Sequence, residues 1–222
     1  MPDIQLVALD IAGTTVDEGG AVYRVLAAVV AEHGTPASGA DIRAWMGADK
    51  HEALAALTGD PAAARGLHDR FVRLLAEAYA ATPPVPIAGV PEALAALRSH
   101  GVRVALTTGF DRQVTDPLLA SLGWEVGTQL DAVVCASEVA AGRPAPYMIE
   151  EAMRRTGVTD RGAVLAAGDT VLDVRAGRAA KAGIVAAVLS GAQTRAELEP
   201  EQPTHVLGSV AELPDLLGIP RG

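Results

Sequence analysis

Apolar positions along the chain fall into two patterns whose alternation predicts the architecture. Mainly apolar runs at residues 4–9, 102–106, 132–135, 163–167 and 184–189, interrupted only by Gln5 and Arg103, are each closed by polar or turn-forming residues. Asp10 closes the first, Thr107, Thr108 and Gly109 the second, Ser137 the third, Gly168 and Asp169 the fourth, and Ser190 and Gly191 the fifth. Short runs bounded in this way read as buried strands. Helical spacing intervenes at residues 91–100, 113–122, 146–156 and 173–182. The expected fold is therefore α/β, with a Rossmann-like parallel sheet carrying helices on both faces. In such sheets ligands bind beyond the carboxyl ends of the strands, which is where these polar residues fall.

From about residue 21 to residue 81 the alternation stops. The spacing there is helical throughout, and Pro83, Pro84 and Pro86 close the segment. This predicts an inserted helical cap subdomain of residues 17–86, with residues 1–16 and 87–222 forming the core. Near the C-terminus residues 204–207 suggest another strand. Ser209 and Glu212 resemble a capping box for a closing helix that Pro214 keeps short or late in starting.

Composition narrows the class. The 222 residues are enough for one core with an inserted subdomain, and at 50% hydrophobic but 3% aromatic the interior is built from Ala, Val and Leu. Lys and Arg number 18 against 27 Asp and Glu, a net charge of −9. That balance argues against a nucleic-acid or anionic-membrane partner, yet one local site of opposite sign can still take a small anion. The single Cys135 excludes an intramolecular disulfide framework and a Cys-based zinc cluster, and reads as a small core residue. No basic segment leads into an apolar run at the N-terminus, and no apolar stretch reaches the ~18 residues of a spanning helix, so the expected setting is cytoplasmic. His33, His68, His100 and His205 occur singly, without metal-ligand spacing, and read as surface residues. Trp45 and Trp124 are too isolated to stack a nucleic acid.

The candidate chemistry lies at the strand ends. Asp10 closing a buried strand needs a partner, whether a metal, a hydrogen-bonded loop or a nucleophilic role; as a bare turn former it would need none. Asp169 and Asp173 in GDTVLD, at the same sheet edge, would suit a hard cation such as Mg2+, although Asp173 reads equally well as a helix N-cap. Thr107 and Thr108 offer hydroxyls and amides, and Arg143 in AAGRPAP a guanidinium. Each alone is ordinary for a loop, but together they make a plausible phosphoryl cradle.

DIAGTT, TTG after a strand, AGRPAPYM and GDTVLD resemble, in order and spacing, the four active-site motifs of the haloacid dehalogenase superfamily, and most closely its phosphonatase branch. The resemblance implies Asp10 as nucleophile, forming an aspartyl-phosphate. It implies Mg2+ held by Asp10, the Ala12 carbonyl and Asp169 with Asp173, and phosphoryl oxygens held by Thr107, Thr108, Gly109 and Arg143. The superfamily's phosphatases carry a second Asp two residues after the nucleophile; here Ala12 stands there and can do no acid–base work. The run MGADK resembles the segment around the branch's Schiff-base lysine. This implies Lys50 as the covalent amine and places Met46 and Gly47 beside the substrate.

Ala53 stands where the branch has a histidine, with His51 next to the lysine instead, and Phe110 stands where a tyrosine follows the second motif. Asp49 and Glu52 flank Lys50 and are expected to favour its ammonium form. The implied activity is hydrolysis of a small phosphonate, most concretely phosphonoacetaldehyde. A phosphate-monoester phosphatase and a silent binding protein on the same fold are the alternatives. The family analogy adds a homodimer formed through the cap.

Overall fold

A computed structural model describes residues 3–34 and 37–220; Met1, Pro2, Thr35, Pro36, Arg221 and Gly222, which fall in the expected divisions, lie outside it. The apolar runs become β1 (Leu6–Leu9), β4 (Arg103–Thr108), β5 (Ala132–Cys135), β6 (Val164–Gly168) and β7 (Ile184–Val188), with β8 (His205–Leu207) beyond them. Two short strands, β2 (Val16–Asp17) and β3 (Val85–Pro86), sit between the first two. The helices are α1 (Ala21–Glu32), α2 (Gly39–Ala44), α3 (Lys50–Thr58), α4 (Ala64–Ala81), α5 (Val90–Ser99), α6 (Arg112–Leu122), α7 (Tyr147–Thr156), α8 (Val171–Ala179), α9 (Arg195–Leu198) and α10 (Leu213–Leu216).

The main sheet has six strands in the order β5-β4-β1-β6-β7-β8, and every neighbouring pair is parallel. From β1 the chain fills one edge with β4 and β5, then crosses to fill the other from β6 onward. The crevice at that switch point lies above the ends of β1, β4 and β6. Alternation along β1 divides the core: Leu6 and Ala8 pack with Met148, Ile149 and Ala152 of α7, whereas Val7 and Leu9 pack with Leu94 and Leu97 of α5 and Val114 and Leu118 of α6. Each large apolar side chain buried this way contributes ~1.5–3 kcal/mol over exposure, which offsets the cost of polar groups buried at the strand ends.

β2 and β3 form a two-residue antiparallel ribbon, Val16 opposite Pro86 and Asp17 opposite Val85, and α1 to α4 lie between them in sequence. α4 buries His68, Phe71 and Leu75, one face at helical spacing, and Phe71 and Leu75 join Val22, Leu26, Val29 and Val30 of α1 in the core. Pro83 and Pro84 follow its end directly. None of the described helices is long and apolar enough to cross a membrane.

The expected box at Ser209 and Glu212 is not formed. Ser209 Oγ accepts from the Ala211 amide, and the Glu212 carboxylate from the Gly208 amide. Pro214 sits in the first turn of α10, so the helix starts at Leu213 and residues 210–212 make a separate 3₁₀ turn.

Candidate active site

Asp10 follows β1, Thr107 is the penultimate residue of β4, and Asp169 follows β6, so parallel pairing alone sets them side by side above the crevice. Arg143, from the loop before α7, reaches into them with only 5% of its surface exposed. Its Nη1 lies 2.7 Å from Asp10 Oδ1 and its Nε 2.8 Å from Asp173 Oδ1. Its Nη2 donates to the Thr107 carbonyl at 2.9 Å and hydroxyl at 3.0 Å. One guanidinium thus joins the nucleophile candidate, a metal-ligand candidate and the second motif.

The other acids are held from behind. Asp169 Oδ1 accepts from the Thr14 hydroxyl at 3.0 Å and Oδ2 from the Ala192 amide at 2.7 Å. Asp173 is not an N-cap: Thr170 caps α8, and Asp173, three residues on, closes the capping box, its Oδ2 accepting from Thr170 Oγ1 at 2.5 Å. Both carboxyl side chains are thereby fixed in orientation.

The donor set fits a hard cation. Asp10, Asp169 and Asp173 are all buried, and Arg143 is in direct contact with Asp10 and Asp173. Burial, with Asp10 and Asp173 nearby, pushes the Asp169 carboxyl well up. Burial also raises Asp173, although Arg143 pulls it back. Carboxylates crowded in this way lack positive charge, and all their donor atoms are oxygens, as Mg2+ requires.

The segment between α2 and α3 lies directly on this cluster. The Gly47 carbonyl accepts from Arg143 Nη1 at 3.3 Å. Gly109 sits so close to it that a Cβ there would run into the Ala48 carbonyl. Gly47, at φ 81°, takes a backbone conformation suited to glycine and packs on Thr170, where a side chain would collide. Met46 is buried in the same segment. Lys50, the first residue of α3, is 4% exposed; its Nζ donates to the Ala48 carbonyl at 2.6 Å and lies 5.5 Å from the centre of the Phe110 ring. The Thr108 hydroxyl accepts from the Phe110 amide at 3.1 Å.

Of the two flanking carboxylates expected to favour the Lys50 ammonium, Asp49 does so, but burial acts against it. Glu52 is exposed, and Asp49 caps α3 by accepting from the Glu52 amide. Asp49 and Asp10 do raise the amine, but burial outweighs them and brings it down to about 8.

The profile of haloacid dehalogenase-like hydrolases matches residues 4–181. The chain belongs to that family. A phosphonoacetaldehyde hydrolase of Bacillus cereus is 32% identical over 206 residues, covering 86% of this chain and 78% of that protein. Among solved structures, a phosphonoacetaldehyde hydrolase-like protein of Oleispira antarctica superposes with a TM-score of 0.83 at 21% identity, covering 97% of this chain and 92% of its own. A predicted phosphoglycolate phosphatase of Haemophilus somnus gives 0.76 at 17% identity, covering 97% and 99%. At these identities the two structural likenesses speak for the fold alone.

In this dehalogenase-like site, Tyr23 of α1 is a residue that spacing along the chain does not single out. It lines, with Ala12, Gly13, Glu18, Asp169 and Ser190, a cavity of about 230 Å³ beside the acids. Burial and the charges of Asp169, Asp10 and Asp173 push its phenol well above the usual range. The only signal was its place on the buried side of an amphipathic helix, which does not distinguish core from site. A larger cavity of about 580 Å³ lies where β4 and β5 begin, remote from this chemistry, and its Arg98 and Arg103 are paired with Asp131.

His68 is likewise not a surface residue. It is 2% exposed, with its ring stacked on His51 and its Nε2 3.5 Å from Asp111 Oδ2. Three elements converge there, a meeting that spacing along the chain does not reveal.

Proposed function

We propose that this hydrolase cleaves the carbon–phosphorus bond of phosphonoacetaldehyde or a close analogue. Asp10 would act as nucleophile, Lys50 as a Schiff-base amine, and Mg2+ would be held by Asp10, the Ala12 carbonyl, Asp169 and Asp173. The observation that carries this reading is Lys50: a buried lysine with no carboxylate ion pair among the described residues, its pKa lowered, over the core loop that follows Thr107. A lysine serving only to bind an anion gains nothing from a lowered pKa; an amine nucleophile does. The relatives named phosphonoacetaldehyde hydrolase support the same substrate class.

In this mechanism the Lys50 amine adds to the aldehyde and water leaves, giving a protonated imine. An Asp10 carboxylate oxygen then attacks phosphorus. The electron pair of the breaking C–P bond passes into the imine as an enamine, so no acid at Ala12 is needed to assist departure. The enamine takes a proton on carbon, and hydrolysis returns acetaldehyde and free Lys50. Water cleaves the aspartyl-phosphate, releasing phosphate. Arg143 and Thr107 orient and neutralise the phosphoryl oxygens. Mg2+, when bound, supplies further charge stabilisation there. The loop carrying Met46 and Gly47, closed on Gly109, excludes water from the intermediate.

Borohydride added with phosphonoacetaldehyde should reduce the imine and leave a two-carbon adduct on Lys50, seen by peptide mass spectrometry. Lys50→Ala should lose at least about three orders of magnitude in kcat. Wild-type turnover in Lys50→Ala, or rapid hydrolysis of phosphate monoesters with none of the phosphonate, would overturn the reading.

A further inference from the structure

We propose that His51, His68 and Asp111 form a second cation site, selective for a transition metal such as Zn2+, that bridges the helical insertion and the core. The three come from α3, from α4 and from the N-cap of α6, and their ligand atoms all lie within 4.8 Å of one another. The site is separate in chemistry from the acidic cluster. Two imidazoles and one carboxylate suit a borderline ion, whereas Mg2+ takes oxygen ligands.

The spacing supports it. His68 Nε2 and Asp111 Oδ2 are 3.5 Å apart, long for a hydrogen bond. Ligands at ~2.0–2.2 Å on a tetrahedral ion are separated by about that distance. Asp111 divides its carboxylate: Oδ1 accepts from the Val114 amide at 3.3 Å and caps α6, while Oδ2 faces His68. The cap thus fixes the side chain and orients the oxygen offered to the ion. His68 is held rigidly by burial, near Phe71 at 6.2 Å between ring centres. Its burial and the neighbouring His51 lower its pKa, against the opposing pull of Asp111, Asp49 and Asp69.

The two imidazoles are stacked, 3.8 Å between centres with planes at 18°. A shared ion requires one ring to turn about its Cβ–Cγ bond, and half-exposed His51 has the room. Water completes the coordination. Because Asp111 follows directly on the loop containing Gly109 and Phe110, an ion here fastens the insertion over Lys50 and restrains its opening.

Cobalt titration in millimolar Mg2+ tests the site, since four-coordinate Co2+ has intense visible bands. One equivalent should develop these bands in the wild type, and Zn2+ should displace them. His51→Gln and His68→Gln should abolish them. Asp111→Asn, which keeps the α6 cap, should weaken or shift them, and Asp169→Asn should leave them unchanged. His51→Gln, at a half-exposed position, guards against misfolding of the His68 variant. No bands in the wild type, bands surviving both histidine variants, or bands lost in Asp169→Asn would each overturn the site.

Discussion

The proposed chemistry turns on one side chain, Lys50. With its pKa at about 8, about one-tenth is free amine at pH 7, against roughly 0.03% at the ordinary lysine value. If imine formation limits turnover, kcat/KM rises with pH, tenfold per unit below about 8, and levels above it. A profile flat between about pH 6 and 9 would remove Lys50 from the rate-limiting chemistry. Tyr23 carries a second expectation. Its raised pKa keeps the phenol protonated, a donor facing the same cavity as Ala12 and Asp169. Tyr23→Phe should lower kcat/KM about tenfold, ~1.4 kcal/mol, with the thermal midpoint unmoved. An unchanged kcat/KM would make Tyr23 a packing residue. Asp10, Thr107, Arg143 and Asp169 were legible in the sequence because each sits at the end of an apolar run or in a motif. Tyr23 and His68 were not, because a polar side chain on the buried face of an amphipathic helix looks like any other helical position until the helix is docked.

Among the elements, the strands were the most legible, since a strand buried on both faces is an apolar run with little room for ambiguity. Their order was not, because register and neighbour choice depend on contacts distant in sequence. The contact between the segment preceding α3 and the loop after β4 was equally hidden, since it depends on two glycines whose significance is what they leave out. Gly109 is the sharper case. An added methyl meets the Ala48 carbonyl, so the loops must part. Gly109→Ala should hold the insertion away from the core, cutting kcat/KM by at least about tenfold at an overpacking cost of ~1–3 kcal/mol. Protease cleavage near Trp45 should be faster than in the wild type. Normal activity with unchanged cleavage would show that the segment moves aside readily and that the observed contact is not needed for turnover.

For the whole molecule, the net charge of −9 matters less than where its unbalanced part is buried. Asp10, Asp169 and Asp173 lie together, with the Asp169 and Asp173 carboxyls raised. A carboxyl whose pKa is higher folded than unfolded binds its proton more tightly in the native state. Its stabilising contribution is therefore full below the unfolded value, near 4, and is lost as pH rises through the folded one. These two carboxyls should thus cost the metal-free protein stability as pH rises above about 4, even though Asp173 is paired with Arg143. Mg2+ bound at these acids, as proposed, should reverse the trend, because it would compete with protons for the same oxygens and bind better as they leave. At one hundred times its Kd a bound ion adds ~2.7 kcal/mol, which for a chain of this length is about 5–10 °C in thermal midpoint. The gain on adding Mg2+ should be greater at about pH 8.5 than at about pH 6, and Asp169→Asn should diminish both the gain and its pH dependence. If calorimetry finds the same Mg2+ shift at both pH values, or an undiminished shift in Asp169→Asn, the ion is bound away from these acids. The buried acids would then need another explanation, with Arg143 as their permanent counterion.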